Sequence, residues 1–356
     1  MTWQPRDESK KWVALEAVAN DLGSRRIGII FGLAESDLKA LTRDMQRTNR
    51  QHALAVVTIA LVAIVFGCGF LAMQTVLRGG LSVGATISVR FGLGTIALAM
   101  FLLVRHARPD QRSVRDGLVL GAILVSIFWL QTDGLRFTTT AKSGLITSLY
   151  VPFTPIFAFF LKDRIKPAHA FAALLAGVGM YLLVHVPGDL WNGWGRGEFE
   201  TLACAVLCAF HVIYTTRFSR RSDGLVLAFM QVAVTGIVSA LITIVLPSPH
   251  GFQTTWAGLQ HRDVQIALAF MVCFTTIFCF WGMTSMQKYL SATEAAVVYS
   301  FEPVTATLVG VYWVGETFLP SQKVGAALIL VAMLMAELLP RLMARIRPEP
   351  LAEAAD

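Results

Sequence analysis

The sequence predicts an all-α integral membrane protein: ten transmembrane helices arranged as two inverted five-helix repeats. Three observations predict it. Of 356 residues, 55% are hydrophobic and only 15% charged, with a mean hydropathy of +0.61. A water-soluble chain of this length needs far more charge on its outside. Ten uncharged or nearly uncharged runs follow one another along the chain. Finally, two stretches 151 residues apart read alike: Thr140-Ala141-Lys142-Ser143-Gly144-Leu145-Ile146 and Ser291-Ala292-Thr293-Glu294-Ala295-Ala296-Val297. Each opens an apolar segment that carries a proline at the same offset, Pro152 and Pro303, which is the mark of an internal repeat.

The runs are 53–77, 79–104, 117–135, 143–161, 167–187, 201–216, 224–249, 264–286, 295–315 and 324–340. Most reach the ~20 residues that cross ~30 Å of hydrocarbon, and flanking residues extend the short ones into the headgroup zone. Open strands cannot satisfy their backbone in lipid, so the runs are helices. Grouping them gives a polar tail over 1–51, a first repeat over 52–188, a second over 197–342 and a C-terminal tail over 343–356. Five spans per copy is an odd number, so the copies sit in opposite orientations. Inverted repeats with a broken helix at matching places point to alternating access.

Lys and Arg set the orientation. With the N-terminus in the cytoplasm, 23 of the 30 fall on the cytoplasmic side, 6 on the other, and Arg90 lies inside a span. Both termini are therefore expected to be cytoplasmic. The net charge of +7 reads as topology rather than nucleic-acid binding. In the outer segment 187–200, Trp191 and Trp194 read as interfacial anchors. Within the tail, Ile30, Leu33, Leu38, Leu41 and Met45 fall at roughly helical spacing. They suit either a short amphipathic helix on the membrane surface or a loosely ordered segment. No signal-peptide order is present, and Met45 offers a second translation start just ahead of the first span.

Cys68, Cys204, Cys208, Cys273 and Cys279 all lie in apolar runs without a Cys-x-x-Cys pair or metal-ligand spacing. Cys204 and Cys208, one helical turn apart, read as packing residues. Gly117 and Gly121 form a Gly-x-x-x-Gly spacing, read as internal helix packing rather than dimerisation. No Walker sequence is present, so ATP bound in the P-loop manner is excluded as the energy source. No metal, cofactor or catalytic constellation is expected, and the chain does not read as an enzyme.

Ionisable residues at mid-membrane depth are costly, at roughly 2.5–3.5 kcal/mol or more when unpaired. Arg90 lies near the middle of the second span and Glu302 near the middle of the ninth. Arg90 suits a fixed cation in a water-filled cavity, facing a carboxylate, or a structural tie to backbone carbonyls. Glu302 directly precedes Pro303, which removes a backbone hydrogen bond. Its carboxyl either serves the carbonyl so freed or takes up and releases protons as the cavity opens to each side. Their repeat mates are Leu241 and Val151, so both charges are one-sided. His211 suits a proton relay or a hydrogen-bonded packing residue. Gln131, Ser148, Tyr150, Trp281 and Tyr299 are polar or aromatic candidates for lining the cavity. Pro152 and Pro303 are expected to kink their helices.

The run Thr140–Leu149 leading to Pro152, followed by Lys162-Asp163-Arg164, resembles the fourth span of an EamA domain. The second copy is similar through Ser291–Ala296, Phe301-Glu302-Pro303-Val304 and Gly315-Glu316. Arg90 and Gly67, within Phe66-Gly67-Cys68-Gly69-Phe70, also fit, although Phe66 stands where the family usually has tryptophan. Lys162-Asp163-Arg164 replaces a Gly-Glu-Arg ending. The resemblance covers about residues 52–342 and implies the ten-span type of the drug/metabolite transporter superfamily.

The resemblance implies a secondary transporter that exports a small metabolite such as an amino acid, with a bacterial inner membrane as its setting. Partners expected are a small-molecule substrate and the lipid bilayer, with a homo-oligomer left open. The competing readings are a membrane-embedded solute sensor or scaffold and, within transport, a lipid flippase.

Overall fold

In a computed structural model the described residues are 35–106, 109–161, 167–184, 194–246 and 251–346. Among them the secondary structure is helical, and the order is α1 (Glu35–Arg78), α2 (Val83–Val104), α3 (Gln111–Gly134), α4 (Thr140–Thr147), α5 (Tyr150–Phe160), α6 (Pro167–Val184), α7 (Arg196–Ser219), α8 (Gly224–Val245), α9 (Gly251–Leu259), α10 (Arg262–Phe270), a π-helical segment π1 (Met271–Phe278), α11 (Cys279–Met286), α12 (Ala292–Val298), α13 (Phe301–Val309), a second π segment π2 (Gly310–Val314) and α14 (Pro320–Ile346).

Side chains fix the helix starts. Ser82 accepts from Ala85 N ahead of α2, Asp110 from Ser113 N ahead of α3, and Asp223 from Leu225 N and Val226 N ahead of α8. Each bond satisfies a backbone donor that a helix leaves free. At the end of π2, Gly315 takes φ +74°, a left-handed stop for which glycine is the cheapest residue.

Among the described residues, eight segments suffice by length and composition to cross a membrane, including Thr140–Phe160 and Glu294–Val314 taken across their breaks. Two shorter apolar stretches, Leu174–Leu183 and Pro320–Ala332, belong to α6 and α14. Bilayer contact is written on the surface: Leu103, Val104, Ile244, Val245, Tyr312 and Trp313 are each more than two-thirds exposed. Lipid accepts such side chains and water does not.

Contacts divide the chain into Met1–Leu54 and Ala55–Asp356. In the first part, the described residues belong to the beginning of α1. Of the stretch expected as a surface helix or loose segment, Leu38, Leu41 and Met45 fall within α1, and Ile30 and Leu33 lie outside the described residues. Residues 1–34, Trp191 and the Lys162-Asp163-Arg164 ending lie outside the described residues. Trp194 packs on Phe199 with ring centroids 5.2 Å apart.

Within Ala55–Asp356, α2 packs along α8, and α3 along α7 and α8. Elements from before and after residue 190 thus share one core. Gly117 and Gly121 sit on this seam. A Cβ there would lie 2.4 Å from Met230 Cβ and 2.6 Å from Val234 Cβ, so their spacing serves packing of α3 onto α8. The pair α6–α14 closes the same way, with Gly179 and Gly325 meeting backbone to backbone.

Candidate functional site

Two broken helices shape the site. A proline at position i leaves the carbonyl of residue i−4 without its helical donor. For Pro152 that carbonyl is Ser148, and for Pro303 it is Tyr299. In both, the chain tightens by one residue: Val151 N donates to Ser148 O at 2.9 Å, and Glu302 N donates to Tyr299 O at 2.8 Å. The α4/α5 and α12/α13 breaks therefore match in position and in hydrogen bonding. The carbonyl freed by Pro303 is satisfied by the backbone N–H of Glu302, which leaves the Glu302 carboxyl to the interior.

Beside the breaks lies a partly open cavity of about 100 Å³, room for several waters. Arg90, Gln131, Tyr150, His211, Tyr299 and Glu302 line it, drawn from α2, α3, α7 and both broken helices. Phe66, Phe70, Phe128 and Phe280 supply much of the apolar wall. Phe66 and Phe128 meet Phe280 edge-to-face at 5.8 Å and 6.2 Å.

Arg90 is 3% exposed. Its Nε donates to Thr276 Oγ1 at 2.9 Å and its Nη2 to Thr275 O at 3.2 Å. Its guanidinium carbon stands 4.9 Å from the Phe91 ring centre and 4.6 Å from that of Phe128. The threonines belong to π1, where the wider helical turn brings a carbonyl within reach of a side chain. Among the described residues no carboxylate is paired with Arg90; its partners are neutral dipoles and ring faces.

Glu302 is partly buried, and its Oε2 accepts from the Tyr150 hydroxyl at 3.4 Å. Tyr150 and Tyr299 meet edge-to-face at 6.3 Å, one from each broken helix. His211 Nε2 is 2.9 Å from Gln231 Oε1. Since an amide oxygen only accepts, the imidazole donates from Nε2. The Thr147 hydroxyl borders the cavity without a hydrogen-bond partner.

Two expected residues lie outside the lining. Ser148 is buried, and its hydroxyl donates to Leu145 O at 2.5 Å, inside the break itself. Trp281 is 40% exposed on the outer face of α11, with Arg105 5.9 Å from its ring centre. Thr275, Thr276 and Thr147 join the site without having been singled out, the adjacent threonines inside an otherwise apolar run being the available signal, and Cys208, read as a packing residue, lines the cavity as well. Among the described residues no three His, Cys, Asp or Glu side chains converge as a metal site would need.

The sequence profile of the EamA-like transporter family matches residues 53–185 and 195–337. An uncharacterized transporter of Archaeoglobus fulgidus is 29% identical over 281 residues, 79% of this chain and 84% of the relative. The uncharacterized transporter YyaM of Bacillus subtilis is 23% identical over 272 residues, 72% and 85% of the two chains. A crystal structure with 20% sequence identity superposes at a TM-score of 0.57 over 81% of this chain and 98% of its own, which is a likeness of fold.

Proposed function

The chain belongs to the EamA-like transporter family, within the drug/metabolite transporter superfamily, and is a multi-pass membrane transporter of a small molecule; from that premise we propose that it exports a small carboxylate-bearing metabolite, such as an amino acid, by alternating access. In this reading ten helices cross a bacterial inner membrane, α6 and α14 included, and both termini are cytoplasmic. The two five-helix halves are inverted, and rocking of the broken helices exposes the cavity to one side and then the other.

The observation that carries the reading is a buried cation beside a cavity, held by neutral partners. Carbonyl and hydroxyl dipoles hold the guanidinium in place but leave its charge available to an anionic group, which Arg can grip with its planar fork. The aromatic wall suits the apolar body of an amphipathic solute. Glu302 is the proton carrier, steadied by the Tyr150 hydroxyl in one of its states.

Flux of labelled amino acids into proteoliposomes, with and without a pH gradient, tests this. The wild type is expected to accumulate solute against its gradient only when the pH gradient is present. Glu302→Gln is expected to abolish that dependence while leaving exchange of solute for solute. Unchanged pH-driven transport in Glu302→Gln removes the proton role. Arg90→Glu with intact folding and affinity removes the anion role.

A further inference from the structure

The Gln287 side chain is fully buried, yet it does not line the cavity. It stands in the short 3₁₀ turn Gln287–Tyr289 that ends α11. Its amide nitrogen donates to Val212 O and to Thr216 Oγ1 of α7, both at 2.8 Å. Its amide oxygen accepts from the Tyr299 hydroxyl at 3.1 Å. Val212 and Tyr299 are both cavity walls, so one amide ties α7 to the broken helix directly beneath the cavity.

The layer behind it is closed. Leu290 is 1% exposed, and Ala295 and Ala296 are fully buried. Arg220 donates to Leu290 O at 3.0 Å, and Thr284 Oγ1 donates to Gly224 O at 2.6 Å. At the other end the cavity lining continues up α1 to Met73 and up α3 to Leu135. The cavity is thus stoppered at the end that carries Arg220 and Leu290.

We propose that Gln287 is the latch of that stopper, and that the Tyr299–Gln287 bond is the one that breaks when the broken helix swings away. The proposal rests on the alternating-access reading and adds to it the residue that holds one side shut. Only an amide fits the position: it gives two hydrogens to α7 and an acceptor to Tyr299. Leucine offers none of these, and glutamate loses both donors. The two bonds to α7 join Gln287 to a continuous helix. The bond to Tyr299 joins it to the residue whose carbonyl lies in the α12/α13 break, which is where the backbone is weakest.

The test uses a native reporter. Cys208 lines the cavity, while Cys204, one turn away on α7, is fully buried. A membrane-impermeant maleimide is added to vesicles on the face that carries Arg220 and Leu290, and labelled positions are assigned by fragment mass spectrometry. Tyr299→Phe and Gln287→Leu are expected to speed labelling of Cys208 from this face about tenfold, in keeping with the loss of one or more buried hydrogen bonds. They are expected to slow it from the opposite face, with Cys204 unreactive throughout.

Wild-type rates at Cys208 in folded variants overturn the latch. So does parallel acceleration at Cys204 with a lowered melting temperature, because that reports a loosened fold. Should Gln287→Leu fail to fold, Tyr299→Phe decides alone, since it removes a single hydroxyl. Labelling needs no solute. Absent flux in wild-type vesicles therefore sinks the transport reading while labelling still decides the latch, and normal flux with unchanged labelling sinks the latch only.

Discussion

Replacing either partner of the Asp116–Arg221 pair is expected to destabilise the protein by unequal amounts. Asp116 near the start of α3 accepts from Arg221 Nε at 2.8 Å, Arg221 Nη2 at 2.7 Å and Ser222 Oγ at 3.0 Å. The carboxylate side chain is 2% exposed and the guanidinium 44%. Asp116→Ala frees a cation that already reaches water, so the loss of three hydrogen bonds is discounted to about 1–2 kcal/mol. Arg221→Ala strands a buried carboxylate with a single hydroxyl, at about 3–4 kcal/mol. It also removes the cation from above the Phe218 ring, 4.7 Å from its centre. The gap of about 2 kcal/mol is roughly thirtyfold in the folded-to-unfolded ratio. The double variant is expected to lie near Asp116→Ala, because the stranded charge is gone. Denaturant titration of the four proteins in one detergent measures the cycle. If Arg221→Ala is no worse than Asp116→Ala, or if the two costs simply add, the reasoning from unequal burial is refuted.

Glu316→Ala is expected to cost about 1–2 kcal/mol in the same titration, since Glu316 accepts from Thr140 N at 2.8 Å and Ala141 N at 2.9 Å at the start of α4. Gly67→Ala places a Cβ 2.6 Å from both Glu302 O and Thr305 Cβ; it is expected to push α13 off α1, cost about 1–3 kcal/mol and lower flux. Asp110 precedes α3, and hydrogen bonds from the Ser113 hydroxyl and backbone hold its carboxyl below the usual range. A lowered folded-state value means the contribution is present above about pH 4 and fades as pH falls through the lower value. Asp110→Asn is therefore expected to flatten the acid limb of the stability profile, and an unchanged limb counts against the cap.

Much of this architecture was legible in the residues. Pro152 and Pro303 at one spacing forecast two matching breaks, because a missing N–H acts on its own helix whatever surrounds it. Gly117 and Gly121 forecast a close helix contact, since absent side chains leave that space to a neighbour. Arg90 and Glu302 stood out by cost. What a run of apolar letters cannot carry is rotation about the helix axis. Trp281 follows π1, and each widened turn shifts every later side chain around the axis, so counting at 3.6 residues per turn puts the indole on the wrong face. Ser148 was claimed by its own helix break, a local competition that composition does not reveal. Gln287 gave no signal because what marks it out is three partners on two elements far from it in helical register.

A carboxylate holds the start of each broken helix, Glu316 for the first and Glu294 for the second. Ser291 and Glu294 cap the second one reciprocally from within its own sequence, at 2.8 Å and 3.1 Å. The first is held in addition by Glu316, 175 residues or more away along the chain. The start of the first broken helix is thus tied to the second repeat through Glu316. Any movement of that start away from Glu316 must break two charge-assisted bonds. In the proposed alternating-access cycle those two bonds weigh toward the state in which they are made, and Glu316→Ala is expected to lift that weight.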